Sequence, residues 1–257
     1  MNTLSEIRKF YNEGYLEYFP NLTVDCAIFG YHEGKLQIML IKNKVFTRWQ
    51  LPGGYVKLDE SLEQAAARIT ENYTGVGNLY LREFKTFSDP HRIKSMDFDK
   101  EKLFELTGVN LEEVKWFTRS VSVGFYAISD YVNAVPQIDF FSDECRWFAI
   151  DDLPKLGWDH DDMVKEALHA LTIHLYHFPV GKNLLPEKFT LKEIKEFYEV
   201  MSGKTLHATN FTSRLISLGL LEKLEEKKSI GKHRAPTFYK FNSKVYEKSL
   251  KEGLVLV

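Results

Sequence analysis

The chain has 257 residues, of which 44% are hydrophobic and 14% aromatic, enough to bury one large core or two modest ones, so disorder is not the default. No run of about 18 apolar residues is present, and the opening MNTLSEIRKFYNEGY lacks the basic-then-apolar layout of a signal peptide. The expectation is a cytoplasmic protein with no membrane partner, in which Cys26 and Cys145 fill core space rather than forming a bridge or a metal site. The net charge of −2 is unevenly spread: residues 181–257 hold 15 Lys and Arg against 9 Asp and Glu, so the tail is basic and residues 1–180 are acidic. A basic block of this kind is an electrostatic footprint for nucleic acid, though lysine-rich solvated helices share it.

In chain order, 22–29 (LTVDCAIF) and 36–42 (LQIMLIK) are β-rich apolar runs parted by the turn-forming segment Gly30 to Gly34, which predicts a hairpin. Leu51-Pro52-Gly53-Gly54 breaks the chain ahead of a helix over Leu62 to Tyr73. Strands are expected near 79–86, 120–129 and 144–150, then a helix near 161–177. An insertion over 93–117 reads as two short helices, 98–107 ended by Gly108 and 111–116 with Asn110 and Glu113 spaced as a capping box; it carries no readable function. Pro179, Gly181 and Pro186 mark a linker, dividing the chain into domains 1–178 and 179–257.

From Gly54 the chain resembles the Nudix hydrolase signature, a glycine, five residues, a glutamate, seven residues, then Arg-Glu-apolar-any-Glu-Glu-any-Gly-apolar. Gly54, Glu60, Arg68, Gly75 and Val76 fall on that spacing, and Leu51-Pro52-Gly53-Gly54 is the usual lead-in. Thr86 to Pro90, Arg119 to Tyr126 and Trp158-Asp159-His160 are similar to the ADP-ribose-type branch. Where the family has its three later glutamates, this chain has Ile69, Asn72 and Tyr73. In active members the paired glutamates hold the magnesium that neutralises the diphosphate and activates water, a task that needs hard oxygen ligands. Glu71 lies one residue away, which turns a helical side chain by about 100° and aims it elsewhere. A lone Glu60 reads as a favourable charge near a helix start. The resemblance therefore implies no catalytic residue, no metal and no cofactor, and a pocket kept for an effector. Its candidate contacts, carried over by position, are Asp25, Lys42, Trp49, Asp89, Arg92, Tyr126 and His160. Each has a plainer role open to it: core packing for Trp49 and Tyr126, a turn at Asp89 before Pro90, helix capping by His160.

In the tail, Thr190 and Glu193 are spaced as a capping box, with Leu191, Ile194, Phe197, Tyr198 and Met201 on one helical face and Gly203 at its end. A second helix over 208–218 points Phe211, Leu215 and Leu218 inward. This is a helix-turn-helix pattern, whose second helix enters the major groove by its N-terminal part. Residues 220–224 and 237–241, around a polar segment, form a hairpin or wing. The candidate DNA contacts are Lys204, His207, Thr209, Asn210, Thr212, Ser213 and Arg214 on the helix side, and Lys232, His233 and Arg234 in the wing. A partner-binding or dimerisation module with a solvated lysine loop is the alternative reading of the tail.

Leu184 to Thr190, Asn210-Phe211, Leu218 to Leu221 and Phe238 to Phe241 are similar to the C-terminal domain of Nudix-related transcriptional regulators, the NrtR- and AraR-like repressors of NAD and sugar metabolism. The resemblance spans both domains in order. It implies an α+β protein: a Nudix-type α/β/α sandwich with a mixed sheet, followed by a winged helix-turn-helix. It also implies a homodimer on a palindromic double-stranded operator, its affinity for DNA altered by a small-molecule effector. A sugar such as L-arabinose is the favoured effector, since diphosphate–metal chemistry has been lost, with ADP-ribose or a related nucleotide next. The alternative is an active Nudix hydrolase of ADP-ribose-type nucleoside diphosphates with an accessory C-terminal domain.

Overall fold

The computed structural model describes residues 3–92, 98–114, 119–129, 131, 133–182, 184–228 and 235–254. The chain forms two compact units, one of residues 1–30 and 37–167, the other of 31–36 and 168–257.

The first unit opens with helix α1 (Leu4–Glu13), an element outside the sequence expectations. Thr3 and Glu6 close a capping box at its start, and Ile7, Phe10 and Tyr11 fall on one buried face. Strand β1 (Tyr18–His32) follows, then β2 (Lys35–Asn43), β3 (Trp49–Gln50) and β4 (Gly53–Lys57). The β1–β2 hairpin is longer than expected: Gly30, Tyr31 and His32 stay in the strand, and the turn is made by Glu33 and Gly34 alone, both at positive φ. Helix α2 (Leu62–Thr74) is capped by Ser61 with Gln64 and ended by Gly75 at φ 70°. Then come β5 (Tyr80–Phe87), α3 (Lys100–Thr107), β6 (Val121–Ile128), β7 (Ser142–Ala149) and α4 (His160–Leu175). Gly108 ends α3 as expected, at φ 70°. The expected second insertion helix is a single 3-10 turn over Leu111–Glu113 among the described residues. Asn110 caps the Glu112 amide and donates its side-chain N–H to the Glu113 carboxylate, so the capping-box spacing closes a tighter turn. Lys115 and Trp116 lie outside the described residues.

Among the described residues the sheet of this unit has seven strands in the order β3-β2-β1-β6-β5, with β4 beside β1 and β7 beside β2. It is mixed: β1 runs parallel to β6, while β4 and β7 pair antiparallel with their neighbours. Alternation along β1 separates two environments. Val24, Cys26 and Ile28 join the cluster beneath α2, with Ala65, Ala66, Ile69 and Tyr73. Asp25, Ala27 and Phe29 face the other way. A second cluster joins Ile7, Phe10 and Tyr11 of α1 to Leu103, Val109 and Val114 of the insertion. The insertion and the N-terminal helix thus share one small core. Cys26 is buried and Cys145 half-buried, both as free thiols.

The second unit contains α5 (Leu191–Ser202), α6 (Ala208–Ser217), β8 (Leu221–Lys227), β9 (Thr237–Phe241) and α7 (Ser243–Glu252). Thr190 and Glu193 close the expected capping box, and Gly203 ends α5 in the left-handed region. Phe197, Tyr198, Phe211 and Leu215 form the core between α5 and α6. Leu218 lies just past the end of α6 and is half-buried. Phe189 bridges Tyr239 beside the β8–β9 hairpin, which completes a winged helix. Pro179, Val180 and Gly181 are buried in this unit, the amides of Gly181 and Lys182 both donating to the Tyr246 hydroxyl of α7 at 3.2 Å.

Candidate effector pocket and DNA interface

A cavity of about 490 Å³ opens in the first unit, within the range that holds cofactor-sized ligands. Its aromatic lining comes from α1, the β2–β3 loop and the insertion: Phe10, Tyr11, Phe46 and Phe98. Its polar lining comes from β1, β3 and the start of α4: Asp25, Gln50, Trp158 and His160. Ring centroids run from His160 to Trp158 at 5.7 Å, from Trp158 to Phe46 at 5.8 Å and from Phe46 to Phe98 at 5.1 Å, a path from polar to aromatic wall.

The polar wall is held by an ionic network. Arg92 is 4% exposed and makes a bidentate pair with Asp159, both contacts at 2.9 Å. It also donates to Ser120 Oγ at 3.4 Å and stands 3.9 Å from Asp25 Oδ2. Burial works against the Arg92 charge, but Asp159 and Asp25 outweigh it and hold the guanidinium above its ordinary range. Ser122 donates to Asp25 Oδ2 at 2.5 Å. The Leu51 amide donates to His160 Nδ1 at 2.9 Å, which leaves the proton of the neutral imidazole on Nε2. Nε2 lies 4.0 Å from Asp25 Oδ1 and makes no hydrogen bond. Burial lowers the His160 pKa, with Asp25 and Asp159 acting in the opposite direction. Gly53 is required here, because a Cβ on it would sit 2.0 Å from Asp25 Oδ1.

The three positions that hold glutamate in the Nudix signature face the same cavity. Ile69, Asn72 and Tyr73 line it and Glu71 does not, as the helical rotation requires. Burial pushes the Tyr73 phenol well above its ordinary pKa, so it stays protonated. The magnesium that the signature implies does not fit this donor set: an alkyl group, one neutral amide and a buried phenol. Glu60 is engaged elsewhere. Its Oε1 accepts from Arg68 Nη2 at 2.5 Å and from the Lys57 amide at 2.8 Å, and its Oε2 accepts from Arg68 Nε at 3.0 Å. Among the described residues no group of three His, Cys, Asp or Glu is placed to hold a metal ion.

Of the seven pocket candidates, Asp25 and His160 line the cavity, and Arg92 stands behind Asp25. The other four lie elsewhere. Tyr126 shares the sheet face of Asp25 but sits farther along β6, opposite Ala27, fully buried against Phe29 and Tyr80. Lys42 donates to the Thr47 carbonyl. Trp49 packs on Phe148 and carries the Arg146 guanidinium 4.6 Å above its ring. Asp89 is exposed and caps the following turn, accepting from the His91 amide at 2.6 Å. Gln50 and Trp158, which line the cavity, were not among the candidates. Gln50 is set by the short antiparallel pairing of β3 with β2, where it lies opposite Ile41, and Trp158 takes a positive φ of 56°.

On α6, Thr209, Asn210, Ser213 and Arg214 are exposed, Thr212 is half-buried, and Phe211 and Leu215 face the core. Thr212 also bonds back to the Ala208 carbonyl at 2.8 Å. His207 is the N-cap, its Nδ1 accepting from the Asn210 amide at 3.5 Å. Lys204 is exposed in the turn before it, its Nζ 5.0 Å from the centre of the Tyr176 ring. Lys232, His233 and Arg234 lie outside the described residues. Thus α6 presents a short polar face with one arginine, the composition that base edges and phosphates accept. No helix among the described residues is long and apolar enough to cross a membrane.

Comparison with known proteins agrees with both halves. Residues 20–167 match the NUDIX domain, and residues 181–241 match the NrtR DNA-binding winged helix domain. A relative from Acinetobacter baylyi, the ADPR responsive transcriptional repressor NtrR, is 28% identical over 235 residues, 89% of this chain and 84% of that protein. Among solved structures, Shewanella oneidensis NrtR complexed with a 27mer DNA superposes with a TM-score of 0.66 at 26% identity, covering 88% of this chain and 95% of that one. A MutT/nudix family protein from Enterococcus faecalis shares the fold, with a TM-score of 0.62 at 20% identity over 94% of this chain and all of that one. The chain therefore belongs to the Nudix family and carries, behind that domain, a winged helix of the NrtR type.

Proposed function

We propose that this chain is a transcriptional repressor that binds operator DNA through α6 and the wing, and that its Nudix domain senses ADP-ribose without hydrolysing it. The observation that carries the reading is the cavity itself. It keeps the Nudix location and a cofactor-sized volume, while the positions that should bind the cation are Ile69, Asn72 and Tyr73. The Acinetobacter relative responds to ADPR, which favours ADP-ribose over the pentose expected from the sequence; no relative described above supports a sugar effector. The exposed face of α6, with Thr209, Asn210, Ser213 and Arg214, reads the major groove, and wing residues around Lys232 to Arg234 neutralise phosphate. Two copies related by a two-fold axis match a palindromic operator.

The test begins with selection of a bound sequence from random double-stranded oligonucleotides, followed by gel shifts with and without ADP-ribose. A selected palindrome whose affinity changes with ADP-ribose supports the proposal. Failure to select any sequence, with or without the nucleotide, would end it.

A further inference from the structure

Three buried N–H donors along the polar wall have no acceptor: His160 Nε2, Gln50 Nε2 and Trp158 Nε1. They are neighbours. The His160 and Trp158 rings are 5.7 Å apart, and Gln50 Nε2 lies 3.7 Å from where a Cβ of Gly157 would stand, one residue before Trp158. Beside them Asp25 Oδ1 points past Gly53, 4.0 Å from His160 Nε2, while Oδ2 is taken by Ser122. Unsatisfied polar atoms at nearly full burial are costly, and a cluster of them signals a missing ligand or water. A set of three donors and one carboxylate acceptor selects groups that both accept and donate. Hydroxyl groups do so. A phosphate does not, because it brings negative charge against Asp25 and no proton to give it.

We propose that Asp25, His160, Gln50 and Trp158 form a seat for the terminal ribose of ADP-ribose, with hydroxyls donating to Asp25 Oδ1 and accepting from the three N–H groups. This assignment rests on the effector reading above and orients the nucleotide in the cavity. The adenine, a flat and largely apolar ring, goes to the aromatic end of the same path, beside Phe46 and Phe98. The adenosine ribose is thereby kept at the aromatic side, and only the terminal ribose reaches Asp25. Gln50 and Trp158 become specificity residues for the sugar, and Gln50 lies outside every motif named above.

The experiment is calorimetric titration of the full chain with ADP-ribose, ADP, D-ribose and L-arabinose, repeated with Asp25→Asn and Gln50→Leu. The seat predicts that ADP, which lacks the terminal sugar, binds the wild type at least about tenfold more weakly than ADP-ribose. Asp25→Asn should bring ADP-ribose down to the ADP level and leave ADP unchanged. Gln50→Leu, which keeps the Asp25–Ser122 pair intact, repeats the effect on a smaller scale if Asp25→Asn does not fold. Equal binding of ADP and ADP-ribose, or a parallel loss of both in the variants, overturns the seat while leaving ADP-ribose as effector. Binding of a pentose but not of ADP-ribose, lost in Asp25→Asn, keeps a sugar seat and ends the nucleotide reading. Absence of binding by all four compounds ends both.

Discussion

Glu60 occupies a Nudix signature position, so replacing it separates a structural from a catalytic role. Its carboxylate accepts three hydrogen bonds, two of them from Arg68, and its side chain is 10% exposed against 29% for Arg68. Glu60→Gln keeps the shape and one carbonyl oxygen, but sets an NH₂ group against an Arg68 donor and removes the charge that strengthens these bonds. Hydrogen bonds to a charged group contribute about 1.5–3 kcal/mol, and the partial exposure of Arg68 favours the lower half, so the expected loss is about 2 kcal/mol. For a unit of this size that lowers the melting point by roughly 4–8 °C. All four tryptophans fall within residues 37–167, so urea unfolding followed by tryptophan fluorescence reports on this unit. The loss should depend on pH. Burial raises the Glu60 pKa, but the Arg68 hydrogen bond, the Lys57 amide and the nearby charges outweigh it and leave the folded value below the ordinary 4.5. The contribution is then complete above pH 4.5 and is lost as pH falls through the lower folded value. The gap between wild type and Glu60→Gln should therefore narrow under acid conditions. A gap under about 0.5 kcal/mol at pH 7, or one indifferent to acid, would refute the account of Glu60 as the anchor of Arg68.

Arg92→Met should destabilise the first unit by about 3 kcal/mol, because it strands Asp159 and Asp25 without their cation; a urea midpoint within error of wild type would contradict this. Thr190→Ala removes the α5 capping box and should cost about 1 kcal/mol in unfolding of the second unit, followed by circular dichroism. Arg214→Ala should weaken DNA binding and flatten its salt dependence; equal affinity at several salt concentrations removes Arg214 from the interface. His160 is held neutral by burial, its folded pKa below the unfolded 6.5, so its contribution is present above that pH and is lost as pH falls through the folded value. His160→Gln should therefore melt with a shallower acid dependence than wild type.

Much of the fold was legible because local chemistry and tertiary packing agree. The strand over 22–29, the Gly108 and Gly203 helix ends and the Thr190–Glu193 box all appear where the residues suggest. The α1 helix carried its own signals, Thr3 with Glu6 and the spacing of Ile7, Phe10 and Tyr11, but they lie in a segment that a signal-peptide reading dismisses. Gly30 invites a turn by composition, yet it stays in β1 because the Trp147 ring packs where its side chain would be. The insertion had no readable role in sequence because its partners, α1 and the cavity, are far away along the chain. The pocket divided along the same line. His160 comes with the Trp158-Asp159-His160 motif and Asp25 by position in the resemblance, whereas Gln50 lies in neither and Trp158, though inside that motif, is aimed by an unusual backbone angle. Tyr126 shows the limit of alternation: it shares a face with Asp25, but position along the strand decides whether a side chain meets the cavity or the core.

The most direct measurement follows operator DNA by fluorescence anisotropy while ADP-ribose is added to the full chain with magnesium present, and then recovers the nucleotide for chromatography. A sensor without hydrolysis predicts a change in DNA affinity of about 5–150-fold with the ADP-ribose returned intact. Conversion of the nucleotide to AMP and ribose 5-phosphate, or a DNA affinity indifferent to it, would contradict the account.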